Sequence, residues 1–144
     1  MNDDIEVIAK RDNELEGPRA WAHVMYGLHA LSALSGILTS ATVVGAFVFG
    51  WPSIIAIIIN YFTREQVRGT WLETHWRWQL RSFWFAALWL LIAGLLFITF
   101  IGIPAAILAI IGTGVWVLYR VIRGWMVLLD RRAMPLPMDY VDLR

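Results

Sequence analysis

The chain has 144 residues, enough for one domain, yet 59% of them are apolar and only 16% charged, with a mean hydropathy of +0.62. A water-soluble globule of this size buries about two-thirds of what its unfolded chain exposes, so it has no place for that much apolar surface. A net charge of +1 predicts no overall attraction to nucleic acid, and the absence of cysteine excludes disulfides, thiolate metal sites and cysteine nucleophiles.

Residues 1–18 read as an acidic polar cytoplasmic arm. Six acids (Asp3, Asp4, Glu6, Asp12, Glu14, Glu16) stand against Lys10, Arg11 and Arg19, which is not a secretory signal, and Gly17-Pro18 is expected to close off a weakly ordered segment. The membrane domain is expected over 19–132. No Asp, Glu, Lys or Arg occurs from Ala20 to Thr63 (44 residues) or from Ser82 to Tyr119 (38 residues). One bilayer crossing takes roughly 20 residues, so each run fits a hairpin of two crossings. The fold class is therefore all-α: a polytopic membrane protein with four transmembrane helices in two hairpins.

The corner of the first hairpin is ambiguous, because Gly36 to Ser40 and Gly50 to Pro52 both look like breaks. Pro52 suits the first turn of a helix, but a span from there to Thr63 would reach only about 18 Å of a ~30 Å core. A long first helix ending before Gly50 is preferred. The central segment 64–81 is polar and has a helical pattern: Glu73, Arg77 and Arg81 recur every four residues, acid first. It is expected to form a cytoplasmic interfacial helix between the second and third spans, or to run straight into the third. The third span covers about Ser82 to Phe100; Pro104 opens the fourth, which continues to about Leu129. Residues 133–144, with Pro135 and Pro137, form a cytoplasmic tail.

Every Lys and Arg lies in the N-terminal arm, the central segment or the C-terminal part, and the two hairpin turns carry no charge. The positive-inside rule puts all three charged segments, and both termini, in the cytoplasm. Trp21, Tyr61, Trp71, Trp76, Trp78, Trp84, Trp116, Tyr119 and Trp125 fall near that same face, and an interfacial belt explains them better than a ligand-stacking platform does.

Helices in lipid are held by close backbone approach and polar contacts rather than by the hydrophobic effect. Ser32, Gly36 and Ser40 on the first span, and Ala105, Ala109 and Thr113 on the fourth, are spaced by four and are the expected packing seams. His29 is an ionisable group close to the midplane, and Asn60 is the one side-chain amide in either charge-free run. Interhelical hydrogen bonds account for both, with solute binding as the sharper alternative. Arg64, Arg68, Trp71, His75, Arg77, Trp78, Arg81, Arg120 and Arg123 form a basic and aromatic layer beside the spans. It sets topology, and it offers a site for anionic lipid headgroups or a partner protein, since basic residues beside spans attract anionic lipid at about 1 kcal/mol each. No carboxylate pair lies in the spans and no spacing matches a metal or nucleophile motif, so neither catalysis nor a cofactor is expected.

The run Arg68-Gly69-Thr70-Trp71-Leu72-Glu73-Thr74-His75-Trp76-Arg77-Trp78-Gln79, followed by Arg81-Ser82-Phe83-Trp84, resembles the segment entering the third span in a group of small bacterial membrane proteins of unknown function. That group is described as similar to the chloroplast inner-envelope import component Tic-twenty. Asn60-Tyr61 and the stretch from Trp116 to Trp125 extend the resemblance over about Ala20 to Pro135. It implies four helices, a bacterial inner membrane and no established activity; the stretch between Gly36 and Ile54 is longer than in many relatives. The expected function is a non-enzymatic accessory or scaffold protein that docks a partner protein or anionic lipids through the cytoplasmic Trp/Arg layer, with an unidentified protein or a homo-oligomer as the expected protein partner. The rival is a small oligomeric channel or transporter using His29 and Asn60.

Overall fold

The computed structural model describes residues 2–38 and 50–135, and every regular element among them is helical. Four α-helices follow in chain order: α1 (Asn2–Leu38), α2 (Trp51–Thr63), α3 (Glu73–Ile98) and α4 (Ile103–Leu129). A 3-10 turn at Arg64–Val67 leads from α2 toward α3, and a second at Phe100–Gly102 leads from α3 into α4. α3 and α4 are long and apolar enough to cross a membrane.

Local chemistry explains the starts. α2 and α4 each carry proline in their first turn, Pro52 and Pro104, where the missing N–H would have no intrahelical partner. α3 begins at Glu73, whose carboxylate accepts the Gly69 N–H at 2.8 Å and sits at the positive end of the helix dipole. Gly69 has φ +74°, a conformation that suits glycine, and this lets the chain reverse between the 3-10 turn and α3.

Two expectations are corrected here. The N-terminal arm is not closed off at Gly17-Pro18, because α1 runs through both residues without a break. Proline removes one backbone hydrogen bond from a helix but does not end it when the turns on either side are held, and Leu15 packs on the core just before it. Of the two alternatives for segment 64–81, a separate interfacial helix is not formed, since only Arg64–Val67 turns on its own, and the segment instead runs straight into the third span from Glu73 onward. As for the hairpin corner, Gly36 is helical, whereas Ser40 and the rest of 39–49 lie outside the described residues.

α4 packs against both α3 and α1, and α1 against α2. α2 meets α3 mainly at the end where the arginines gather, called the basic end below. There Asn60 Nδ2 donates to the Trp76 carbonyl at 3.1 Å and Trp76 Nε1 donates to Thr63 Oγ1 at 3.0 Å. The core sits at this end and includes Ala22, Met25, Tyr26, Ala56, Val67, Leu72, Trp76, Val121 and Leu128. Farther along the bundle, Ala93 and Ile110 form a second small cluster between α3 and α4.

The closest approach of α1 and α4 passes through Gly114, where an added Cβ would lie 2.6 Å from Ile37 Cγ1, and through Gly124, where it would lie 2.5 Å from the Tyr26 hydroxyl oxygen. The buried seam residues are Ala33 on α1 and Ala106, Ile110 and Thr113 on α4. Of the expected seams, Thr113 is buried, Ser32, Gly36 and Ala109 are half-buried and Ala105 is exposed. On α1 the buried position is Ala33 rather than Ser32, while on α4 the expected Thr113 is buried and Ala106 is buried in place of Ala105.

Because Tyr26 is fully buried, it cannot move aside for a side chain at position 124. Gly124→Ala is expected to lower stability by about 1–3 kcal/mol, the usual cost of overpacking. Gly112→Ala, at an exposed helical position with open space around it, is expected to be neutral or mildly stabilising. Thermal melts of the two purified variants, compared with the parent, measure both.

Candidate functional site

Three histidines tie separate parts of the bundle together, His23 and His75 at the basic end and His29 farther along α1. His75, fully buried in the first turn of α3, is bonded through both ring nitrogens: Nε2 lies 2.8 Å from the Arg132 carbonyl and Nδ1 lies 2.9 Å from the Tyr26 hydroxyl. A carbonyl only accepts, so Nε2 carries the proton. In the neutral ring Nδ1 is then the acceptor, and Tyr26 donates to it. His23 is read the same way. Trp125 Nε1 can only donate, and it does so to His23 Nδ1 at 2.9 Å, joining α1 to α4. His29 is buried, and its Nδ1 shares a 3.0 Å hydrogen bond with Ser53 Oγ, joining α1 to α2.

Tyr26 is where these ties converge. Its ring stacks on Trp125 at 6.5 Å and 13°, lies edge-on to His75, and rests on the bare backbone of Gly124. The buried Gln79 amide faces the Tyr26 hydroxyl without a well-formed hydrogen bond. The tail of α4 closes the same junction from outside, where Thr74 Oγ1 accepts the Met134 N–H at 2.8 Å and Glu16 pairs with both Arg19 and Arg131.

The expected Trp/Arg layer divides into two electrostatically different parts. On one side the arginines are paired: Arg64 and Arg68 with Glu65, and Arg77 with Glu73 at 2.5 Å. On the other side Arg81, Arg120 and Arg123 stand together with no carboxylate partner among the described residues. Aromatic rings hold them instead. The half-buried Arg120 guanidinium lies 3.6 Å from the Trp78 ring centre and 5.0 Å from that of Trp116, and its Nε donates to Ser82 Oγ at 2.7 Å. Arg123 lies 6.0 Å from the Trp78 ring and Arg81 5.7 Å from the Phe85 ring. Trp78 is fixed in turn, its Nε1 donating to the Arg120 carbonyl at 3.2 Å.

Of the residues singled out in the sequence, Arg81, Arg120, Arg123 and Trp78 come together here, while Arg64, Arg68 and Arg77 belong to the paired side. Trp71 stands edge-on to His75, away from the unpaired arginines. Trp76 and Trp125 do not take part in an exposed belt, since the first is buried and the second half-buried with its N–H on His23. Tyr26, Gln79, Ser53 and Ser82 are not among the site residues expected from the sequence. The available signal for Tyr26 was its place on the helical row Ala22, Met25, Tyr26, His29, Ala33, every member of which is buried.

Beyond Ser82 residues of all four helices line a half-open, largely apolar cavity of about 460 Å³, in the size range of ligand pockets (~300–1,000 Å³). His29 and Ser53 lie on its wall, on the side opposite Ala87 and Leu90 of α3. No group of three or more His, Cys, Asp or Glu suited to a metal ion occurs among the described residues. No family model matches the chain, and neither does any curated protein or solved structure.

Tyr26→Phe removes the side-chain donor to the buried His75 Nδ1 and is expected to cost about 1–3 kcal/mol, the penalty of an orphaned buried acceptor. Tyr61→Phe, on the exposed face of α2, is expected to change stability by less than about 0.5 kcal/mol. Chemical denaturation of the two variants in the same detergent tests the contrast.

Proposed function

We propose that this chain is a non-enzymatic membrane protein, anchored by four spans in two hairpins, whose cytoplasmic basic end binds anionic lipid headgroups. The observation that carries the proposal is the group of three arginines, Arg81, Arg120 and Arg123, set on aromatic rings with no carboxylate among the described residues to neutralise them. Guanidinium recognises phosphate through paired N–H donors, and the Arg120 donors not engaged by Ser82 remain available at the rim of the bundle. Like charges held together in this way repel one another until an anion joins them.

The surroundings favour a membrane rather than water. In the most apolar 18-residue windows of α3 and α4 only 11% and 22% of residues are buried, so these helices are not the hidden core of a soluble domain. Leu88 and Leu95 on α3 and Leu108 on α4 face outward. The arginines and most tryptophans lie at one end of these helices, as the positive-inside rule requires of a cytoplasmic face. On this reading the chain sits with the small Tic-twenty-like bacterial proteins that its central motif resembles, in the inner membrane with both termini in the cytoplasm. Of the polar groups that a transporter would use, Asn60 Nδ2 and His29 Nδ1 are engaged in bonds between helices, which supports docking over transport, while His29 Nε2 is buried without a hydrogen-bond partner among the described residues.

Two measurements test the proposal. The chain has no cysteine, so Trp51→Cys and Arg68→Cys are each unambiguous labelling sites. They are expected to react with an impermeant thiol reagent from opposite sides of the membrane, and reaction from the same side would refute the two-hairpin arrangement. Arg81→Gln and Arg123→Gln are each expected to reduce co-purifying phosphatidylglycerol relative to phosphatidylcholine by about fivefold, equivalent to ~1 kcal/mol per basic residue. Arg64→Gln, on the paired side, is expected to leave the ratio unchanged.

A further inference from the structure

The cavity beyond Ser82 joins the unpaired arginines to the apolar interior. Ser82 lines it, and the Oγ of the same residue receives the Arg120 Nε–H. Val117, one turn before Arg120 on α4, also lines it. The α3 wall consists of residues one helical turn apart, from Ser82 and Phe83 through Ala87 and Leu90 to Gly94. Twelve residues of helix make this wall about 18 Å long. Among the described residues, a Cβ built at Gly94 or at Gly36, on opposite walls, meets nothing within 4 Å. One end is cationic and the length is apolar.

We infer that this cavity is the acyl-chain site of one anionic phospholipid, whose phosphate rests on Arg81, Arg120 and Arg123 while one of its chains lies along Phe83, Ala87 and Gly94. The inference rests on the headgroup reading above and adds a defined place for the rest of the molecule. The charge pattern selects the occupant. A zwitterionic lipid carries its own ammonium to three guanidinium groups that lack a counter-charge, and a free inorganic anion leaves the apolar length empty. Hydrocarbon gains little hydrophobic free energy in passing from the bilayer to such a cavity, so the chain is held by packing contacts and the headgroup supplies the selectivity.

The test uses the full-length protein in vesicles of phosphatidylglycerol and phosphatidylcholine containing a trace of phosphatidylglycerol with a diazirine at mid-chain. A second preparation carries phosphatidylcholine with the same chain. Illumination followed by peptide mapping should show the anionic probe on Ala87, Leu90 or Gly94 at least threefold above Leu88 and Leu95, which face outward on the same helix. The zwitterionic probe should show no such preference. Gly94→Leu, at a position where an added Cβ meets nothing within 4 Å among the described residues, should abolish mid-chain labelling in the cavity while leaving phosphatidylglycerol enrichment intact. Equal labelling of the cavity and outward positions by the anionic probe would overturn the inference, even if phosphatidylglycerol were still enriched. Cavity labelling that is the same for both probes would instead overturn the headgroup reading on which it rests. The mapping of the parent protein decides both points whether or not the variant folds.

Discussion

The hydrogen bond from Tyr26 to His75 governs how the helices at the basic end can meet. Its two partners lie 49 residues apart on α1 and α3, and the tyrosine ring lies on the α4 backbone at Gly124. Three helices are thus fixed by one side chain. Away from water a buried hydroxyl and a buried imidazole must satisfy each other, which sets the direction as well as the distance of approach. The other ring nitrogen of His75 holds the Arg132 carbonyl, so the chain leaving α4 is drawn back over the same point. His23 with Trp125 and His29 with Ser53 repeat the device along α1. In lipid, where apolar side chains gain nothing by leaving one hydrocarbon surface for another, such polar ties and the glycine contacts beside them carry the specificity of packing.

That constraint makes the two ends of the bundle unlike. At the basic end α2 is stitched to α3 by Asn60, Thr63 and Trp76, and the core is closed. Among the described residues α2 has 13 against 26 in α3 and meets it mainly at the basic end. Small residues line the facing walls farther along, Gly36, Ala86 and Gly94 among them. Among the described residues the cavity therefore begins where the polar stitching ends.

Much of this architecture is legible in the residues. Pro52 and Pro104 mark the first turns of α2 and α4, Glu73 and Arg77 pair in the acid-first order, and Asn60 bridges two helices. The choice of inward face on α1 is harder to read. Where a helix is apolar on every side, no contrast between a polar and an apolar face orients it, and small residues four apart occur on more than one side. The rows Ser32–Gly36 and Ala22–Met25–Tyr26–His29–Ala33 are both plausible by spacing, and only the second is buried throughout. Polarity is the better guide in such a helix, since a tyrosine or histidine that faces lipid has no partner there. The burial of His75 and Trp76 is illegible for a related reason. Both lie in a segment rich in arginine and tryptophan, which reads as interface, and their partners on α1, on α2 and beyond α4 are distant in sequence.

The division of the arginines is a property of the fold that composition hides. Along the chain Glu65 and Glu73 already stand within four residues of Arg64, Arg68 and Arg77, but nothing marks Arg81, Arg120 and Arg123 as a group. Folding leaves the acids with the first three and brings aromatic rings to the others. A ring attracts a guanidinium through its quadrupole but leaves its charge in place, whereas a carboxylate cancels it. The aromatic side therefore keeps its charge and presents it rigidly, because Arg120 is held at once by Trp78, Trp116 and Ser82. A fixed cation has already given up the side-chain freedom that a mobile surface arginine would lose on binding. Preorganisation of this kind is what separates a site from a general positive potential, and it puts the capacity to select an anion on the side where Ser82 leads into the cavity.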